Sequence, residues 1–319
     1  MRARPVTIGA AALALVVAAC NGDGSGDKKS SPRSGSTTSA RPFPDARTEV
    51  AGALWDGKIA VAGGLTPNQS TDRFNLFDLS NRSWSSGPTL PHRYDHTSLA
   101  ELDGRLYLVG GYLSGLSNPT NEVYSLGRGE TTWRMEPSMA ARRGALATAS
   151  AAGRLVAVGG VDQGGNVLRT TEVFTPGAGW SAGPNLSIPR EHLGATGAGD
   201  KAYAIAGRNA NGATTSVESL VVGEGEWRQE PAMHDERSGI GATTTASGRI
   251  CTGGGEVPGK PDTVPSIECL EGGAWQRVAD MSVPRHGLAV VAEENRVHFV
   301  AGGPQPGGSF SDAHEVFAV

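Results

Sequence analysis

Short apolar runs, evenly spaced, organise this chain. The clearest is Arg105–Tyr112 (RLYLVGGY), in which a basic residue leads an apolar, β-rich stretch that ends on a glycine pair. It recurs as Lys58–Leu65 (KIAVAGGL), Arg154–Val161 (RLVAVGGV), Lys201–Arg208 (KAYAIAGR), Arg249–Glu256 (RICTGGGE) and Arg296–Gly303 (RVHFVAGG). From one basic residue to the next the steps are 47, 49, 47, 48 and 47 residues. A period of this length marks a repeat architecture.

The polar and aromatic positions between the runs complete the unit. In the second copy, Thr97–Glu101 predicts a first strand, Asp103-Gly104 a tight turn and Leu106–Val109 a second strand. A third strand starts at Asn121–Tyr124, and Trp133 marks a fourth. The third strand returns as Phe74–Phe77, Thr171–Phe174, Val217–Leu220, Ile267–Leu270 and His314–Phe317, and the fourth as Trp84, Trp180, Trp227 and Trp275. Trp55 falls outside this series and reads as a local packing residue. Six copies of four short antiparallel strands predict an all-β fold, a six-bladed β-propeller in which stacked blades cover one another's faces. Small residues at Ala145–Ala149, Gly194–Gly197 and Gly239–Thr243 suit the crowded strand nearest the axis. The glycine doublet, the Tyr or Phe and the spaced Trp resemble the kelch repeat, over residues 42–319. Ala206 and Ala301 at the first glycine position, and Leu220 and Leu270 at the aromatic one, depart from that pattern. The sixth copy stops at Val319 after its third strand, while Pro42 and Arg47 keep the offset that follows a fourth strand elsewhere. Residues near 38–46 are therefore expected to supply the missing strand and close the ring.

Composition adds an address. Arg2 and Arg4 precede an apolar run, Val6–Ala19, too short to span a membrane, so residues 1–19 read as a signal peptide. Its end, Val17-Ala18-Ala19-Cys20, resembles a bacterial lipobox, which implies palmitate-type acylation of Cys20 and a lipid anchor on the outer side of a bacterial cell membrane. Residues 20–41, with no large apolar side chain, read as the lipidated Cys and a flexible tether, leaving 42–319 as the propeller. The 46 glycines and 19 prolines fit many short strands and turns, and a formal net charge of −4 argues against nucleic acid as a partner. Cys251 and Cys269 lie on successive predicted strands of one copy, in a disulfide-permissive compartment; a cross-strand disulfide and two buried thiols are the alternatives.

Candidate chemistry gathers at one mouth of the ring. Arg47, Arg93, Arg143, Arg190, Arg237 and Arg285 mark the junctions between blades, on the face that carries the loops after the glycine pairs. Exposed there, Arg93, Arg143, Arg190, Arg237 and Arg285 would form a positive funnel for a carboxylate. In some similar eukaryotic kelch proteins, arginines in such contexts contact acidic peptides. The opposing outcome is internal pairing with Glu122, Glu172, Glu218, Glu268 and Glu315 on the third strands, since buried charges need partners. Histidines break the repeat beside the arginines: His92, His96, His192, His234 and His286. Near a bound acidic sugar, His192 and His286 could move protons; scattered surface imidazoles are the plainer reading. No metal and no cofactor is expected, because the histidines show no ligand spacing and no phosphate loop or Ser-His-Asp context is present. The copper chemistry of galactose-oxidase-like kelch propellers does not suit Cys251 and Cys269, which sit inside ordinary strands.

The expected function is that of a monomeric, membrane-tethered, non-enzymatic binding or interaction module. Its ligand would be acidic, a glycan, or an unknown partner protein, met by the arginine mouth and by loops such as Leu113–Thr120 and Val257–Pro265. The resemblance also implies an alternative, since exported bacterial kelch propellers of six blades include sialic-acid mutarotases. A structural scaffold in a surface assembly is the third reading.

Overall fold

The computed structural model describes residues 35–319; the signal segment, Cys20 and the tether as far as residue 34 lie outside the described residues. Among the described residues every regular element is a strand. Five blades follow one pattern, each strand hydrogen-bonded to the next in sequence. They comprise Ala51–Trp55 to Ser83–Ser86, Ser98–Leu102 to Arg134–Glu136, Ala147–Ala151 to Gly179–Gly183, Gly194–Ala198 to Arg228–Glu230, and Ala242–Thr244 to Ala274–Asp280. The sixth contains Ala289–Glu293, Arg296–Val300 and His314–Ala318. The innermost strands touch in order around an axis, with Ala289–Glu293 against Ala51–Trp55 closing the circle. Six blades of four antiparallel strands make a β-propeller.

The fourth strand of the last blade comes from the N-terminal side. Thr38 and Ser39 pair antiparallel with Val316 and Glu315, and Phe43 N donates to Asp312 O at 2.8 Å. Pairing starts still earlier, because Gly35–Ser36 lies parallel to Ala279–Asp280 on the fifth blade. The closing strand thus lies within residues 38–46, as the Pro42 and Arg47 offsets led one to expect, and the tether reading of residues 35–41 gives way: they are part of the propeller. Residues 35–37 gave no sign of this, since the unpaired edge of the fifth blade satisfies their backbone whatever the side chains are.

Packing explains the repeated motif. The second strand of each blade is sandwiched between its neighbours, so Ile59–Ala62, Leu155–Val158 and Val297–Val300 are buried along their whole length. Both residues after it hold positive φ, for example Gly159 at 66° and Gly160 at 96°. A Cβ on Gly160 would lie 2.7 Å from the Gly144 carbonyl oxygen, so the second position excludes any side chain. The first position is as tight where it is glycine, a Cβ on Gly159 meeting the Arg190 carbonyl oxygen at 2.4 Å, yet the fourth and sixth blades hold Ala206 and Ala301 there with φ of 51° and 59°. The axis is as crowded as the small residues implied: a Cβ on Gly197 would meet the Ser150 carbonyl oxygen at 1.8 Å.

The fourth-strand tryptophans of the first four blades stitch each to the segment before it, while the Trp275 indole N–H of the fifth is buried without a partner among the described residues. Trp133, Trp180 and Trp227 donate their indole N–H to the carbonyls of Pro88, Pro137 and Pro184 at 3.2, 2.9 and 3.0 Å. Trp84 reaches the Arg41 carbonyl in the same way at 3.2 Å, which ties the N-terminal segment to the first blade. Trp55 bonds the Gly104 carbonyl at 3.0 Å and so joins the first two blades. Cys251 and Cys269 face each other in register and form a disulfide inside the fifth blade.

Candidate functional site

The arginines of the junctions do not line the mouth. Arg47, Arg143, Arg190, Arg237 and Arg285 are at most 1% exposed. Arg143 donates to the Gly159 and Thr170 carbonyls at 2.9 Å each and to Glu172 Oε1 at 3.0 Å. Arg190 reaches Glu218, Arg237 reaches Glu268 and Arg285 reaches Glu315, each at 2.7 Å. These glutamates also accept backbone N–H groups, as Glu172 does from Ala140 at 2.6 Å. Burial lowers the pKa of each of these guanidinium groups, and the glutamate opposite offsets part of that cost. Each pair therefore pins a glycine doublet, a third strand and a junction together. The positive funnel for an acidic ligand does not form, because internal pairing consumes the charges that would have made it.

The second blade breaks the scheme. Its buried junction residue is Tyr94, whose hydroxyl approaches Glu122 Oε2 at 3.4 Å, while Arg93 one residue earlier is exposed and hydrogen-bonds Gln69. His92 is exposed on the rim, and His234 contacts the Trp275 carbonyl at 2.8 Å, away from the axis.

The mouth is built one and two residues beyond the buried arginine or tyrosine. The second of these positions, Glu49, His96, Ala145, His192, Gly239 and Gly287, has positive φ in every blade, from 48° to 66°. The backbone links them around the axis: His96 N donates to Glu49 O, Ala145 N to His96 O, His192 N to Ala145 O, Gly239 N to His192 O and Gly287 N to Gly239 O, at 2.7–3.2 Å. This ring is the floor of a bowl of about 490 Å³, walled by Leu65, Leu116, Tyr112, Val161 and Val167.

Ionisable side chains converge on that floor. Glu49 Oε1 accepts from His286 Nδ1 at 3.2 Å, and Glu49 Oε2 lies 3.4 Å from His96 Nε2. His96 Nδ1 lies 2.7 Å from Asp95 Oδ1, and His192 Nδ1 is bonded to Glu191. Arg208 bridges Glu191 and Glu256, at 2.5 and 2.7 Å. His286 Nε2 meets the Gly307 carbonyl at 2.9 Å; both its ring nitrogens thus face acceptors, as an imidazolium requires. Burial alone would raise the Glu49 carboxyl, but His96, His286 and His192 outweigh it and hold the carboxyl far below its ordinary range. Burial would lower His96 and His286; Glu49 and the neighbouring carboxylates outweigh it and raise both. Burial, with the charges of Glu191 and Asp95, pushes the Tyr112 hydroxyl up to about 12.

His192 and His286 therefore belong to the mouth, and Arg93, Arg143, Arg190, Arg237 and Arg285 do not. Glu49, Asp95, Glu191, Arg208 and Glu256 went unrecognised in the sequence. Their signal is a break in the repeat, one or two residues after the buried junction residue for Glu49, Asp95 and Glu191, and directly after the glycine doublet position for Arg208 and Glu256. Three of the groups, Glu49, His96 and His192, bring one potential ligand atom each within 4.8 Å of one another, an arrangement that sequence spacing did not reveal because it spans three blades.

With this geometry in hand, its relatives can be placed. No family model matches the chain. Mouse Kelch-like protein 40 is 29% identical over 99 residues, and mouse Kelch-like protein 35 is 26% identical over 149 residues. Beta-scruin of Limulus polyphemus is 24% identical over 128 residues. These matches take in 29%, 46% and 37% of this chain and only 16%, 25% and 14% of those proteins. A solved structure titled "Structure of YjhT" superposes with a TM-score of 0.76 over 88% of this chain and 97% of that one, at 16% identity. The chain is a kelch-repeat propeller. The kelch motif accounts for its glycine doublets, aromatics and tryptophans, and leaves the bowl to be explained by this chain's own residues.

Proposed function

We propose that this kelch propeller is a binding module that takes a polar ligand of about the size of a sugar into the bowl. The observation that carries the reading is the bowl itself, where an apolar wall meets a floor of converging charged groups in a volume typical of small-molecule sites. Three carboxylates, Glu49, Glu191 and Glu256, line it with the Arg208 guanidinium and the doubly bonded His286, so no surplus of positive charge favours an acidic glycan over a neutral one. The disulfide and the lipobox-like Val17–Cys20 support a place outside the cell, anchored to the membrane through Cys20. The test is a calorimetric and thermal-shift screen of neutral and acidic glycans against the wild type, Leu116→Asp and Leu54→Asp. Leu116 lines the bowl, and Leu54 is exposed at the other end of the channel. The bowl reading expects a glycan whose affinity falls at least tenfold in Leu116→Asp and is unchanged in Leu54→Asp. A ligand or partner protein indifferent to Leu116→Asp would place recognition elsewhere.

A second reading, an enzyme that moves a proton on a sugar bound in the bowl, is favoured by the Asp95–His96 and Glu191–His192 pairs. Anomer exchange of a sialic acid followed by NMR, at the uncatalysed rate, would remove it.

A further inference from the structure

The floor of the bowl has a feature that ligand binding by the walls does not use. Glu49, His96 and His192 come from the first, second and fourth blades, yet their side chains meet on the axis. All three occupy left-handed backbone, with φ of 54°, 48° and 52°, at positions where the fifth and sixth blades carry the unstrained choice, Gly239 and Gly287. The third blade holds Ala145 at a φ of 53°, so the left-handed backbone is common to the ring; what sets Glu49, His96 and His192 apart is three donor groups meeting at one point.

We infer that Glu49, His96 and His192 bind one divalent transition-metal ion of the zinc class, with a remaining coordination position facing the bowl. Three features of the structure support this. Two imidazoles and one carboxylate are a donor set that suits zinc and leaves a position free in tetrahedral geometry. One spacing already fits, His96 Nε2 and Glu49 Oε2 being 3.4 Å apart against roughly 3.3 Å between tetrahedral ligands at metal–ligand distances near 2.0–2.1 Å, and the His192 donor lies within 4.8 Å of both. The supporting residues are those that metal-binding histidines require. Asp95 Oδ1 holds His96 Nδ1 at 2.7 Å and Glu191 holds His192 Nδ1, so on each ring Nε2 is the nitrogen left to ligate, and Ser70 in turn donates to Asp95. Arg208 Nη2 lies 3.4 Å from both His192 ring nitrogens and is held there by its two carboxylates, so a bound ion would displace it from Nε2.

The inference rests on reading the bowl as a binding site, and its test uses the metal alone, so it can fail while glycan binding stands. Tag-free, full-length protein is stripped with chelator and titrated with Zn²⁺ by calorimetry, then with Co²⁺ by visible absorption. One equivalent should bind, with the d–d bands of a four- or five-coordinate Co²⁺ site. Affinity should fall at least 100-fold in His96→Asn and in His192→Asn, and about 10–100-fold in Asp95→Asn, which disturbs only the supporting carboxylate. Asn tolerates the left-handed backbone, so the histidine variants should keep their melting temperature in the absence of metal. His92→Asn, on the exposed rim, should bind as the wild type does. X-ray absorption of the wild-type zinc form should show two imidazoles with oxygen ligands, independently of any variant. Substoichiometric binding, full binding by a His96→Asn/His192→Asn double variant, or sulfur coordination would each overturn the site.

Discussion

Arg190 shows why the junction arginines are structural. Its guanidinium bonds the Ser216 carbonyl at 2.9 Å and Glu218 at 2.7 Å, and neither charge reaches solvent. Arg190→Ala strands a buried carboxylate and should lower stability by about 3–5 kcal/mol, whereas Arg93→Ala on the rim should change it by no more than about 0.5 kcal/mol. Chemical denaturation of the two variants checks the contrast. The same pair shows where residue-level reading stops. The buried arginine precedes the first residue of its doublet by 16 positions in four blades and by 17 at Arg237. Arg93 stands 17 before Gly110 and Tyr94 stands 16, so counting could not choose between them. What decides it is burial: a tyrosine fills the slot at the cost of one weak bond to Glu122, and the arginine is displaced outward. The pairing of Arg143, Arg190, Arg237 and Arg285 was legible because a glutamate recurs in step with them, whereas Arg47 meets Asn75 and Asp45 instead. The bowl was not, since Glu49, His96 and His192 are neighbours only once three blades have closed on the axis.

At the scale of elements, the strands followed from apolar runs and turn residues, and the elements that hold blades together need packing to be seen. The sixth blade contains a buried imidazole pair, His298 Nδ1 and His314 Nε2 at 2.9 Å, with His314 Nδ1 donating to the Arg41 carbonyl of the N-terminal segment at 3.0 Å. Burial, aided by the neighbouring His298, lowers His314 to about 4. An unfolded histidine titrates near 6.5, so between about 6.5 and 4 the unfolded chain binds the extra proton. The stability that His314 contributes is complete above about 6.5 and is lost as pH falls toward about 4, on the order of 3 kcal/mol in all. Urea melts at pH 7.5, 5.5 and 4.5 should show that loss, and His314→Gln should flatten it. In the fifth blade, the Cys251–Cys269 disulfide closes a separation of 18 residues, for which loop-closure entropy gives about 3 kcal/mol. The Cys251→Ser/Cys269→Ser variant should lose about that much, and reductant should then leave its melting temperature unchanged while lowering the wild type's.

A propeller has no edge left open only if its first and last blades are joined, and here one segment does the joining. Thr38–Ser39 completes the sixth blade, Phe43 packs edge-on against Trp84 of the first at 4.9 Å, and Arg47 bonds the Gly63 carbonyl at 2.9 Å. Gly35–Ser36 extends the hold to the fifth blade, which is why the segment begins earlier than its composition suggested. Stability in stacked repeats comes from interfaces between neighbours, so losing the segment removes the first–sixth interface and exposes two strand edges at once. Deleting residues 35–46 should therefore lower the melting temperature by well over 10 °C and speed amide exchange in Ala289–Glu293 and Ala51–Trp55 before the third and fourth blades respond. The floor of the bowl should fail with it. Its backbone ring closes through Val50 N to the Gly287 carbonyl at 3.2 Å, and Glu49 meets His286 across that same interface. If the deletion variant kept the wild-type melt while binding its ligand unchanged, ring closure would be independent of this segment. The chain's two ends would then have no part in shaping the mouth.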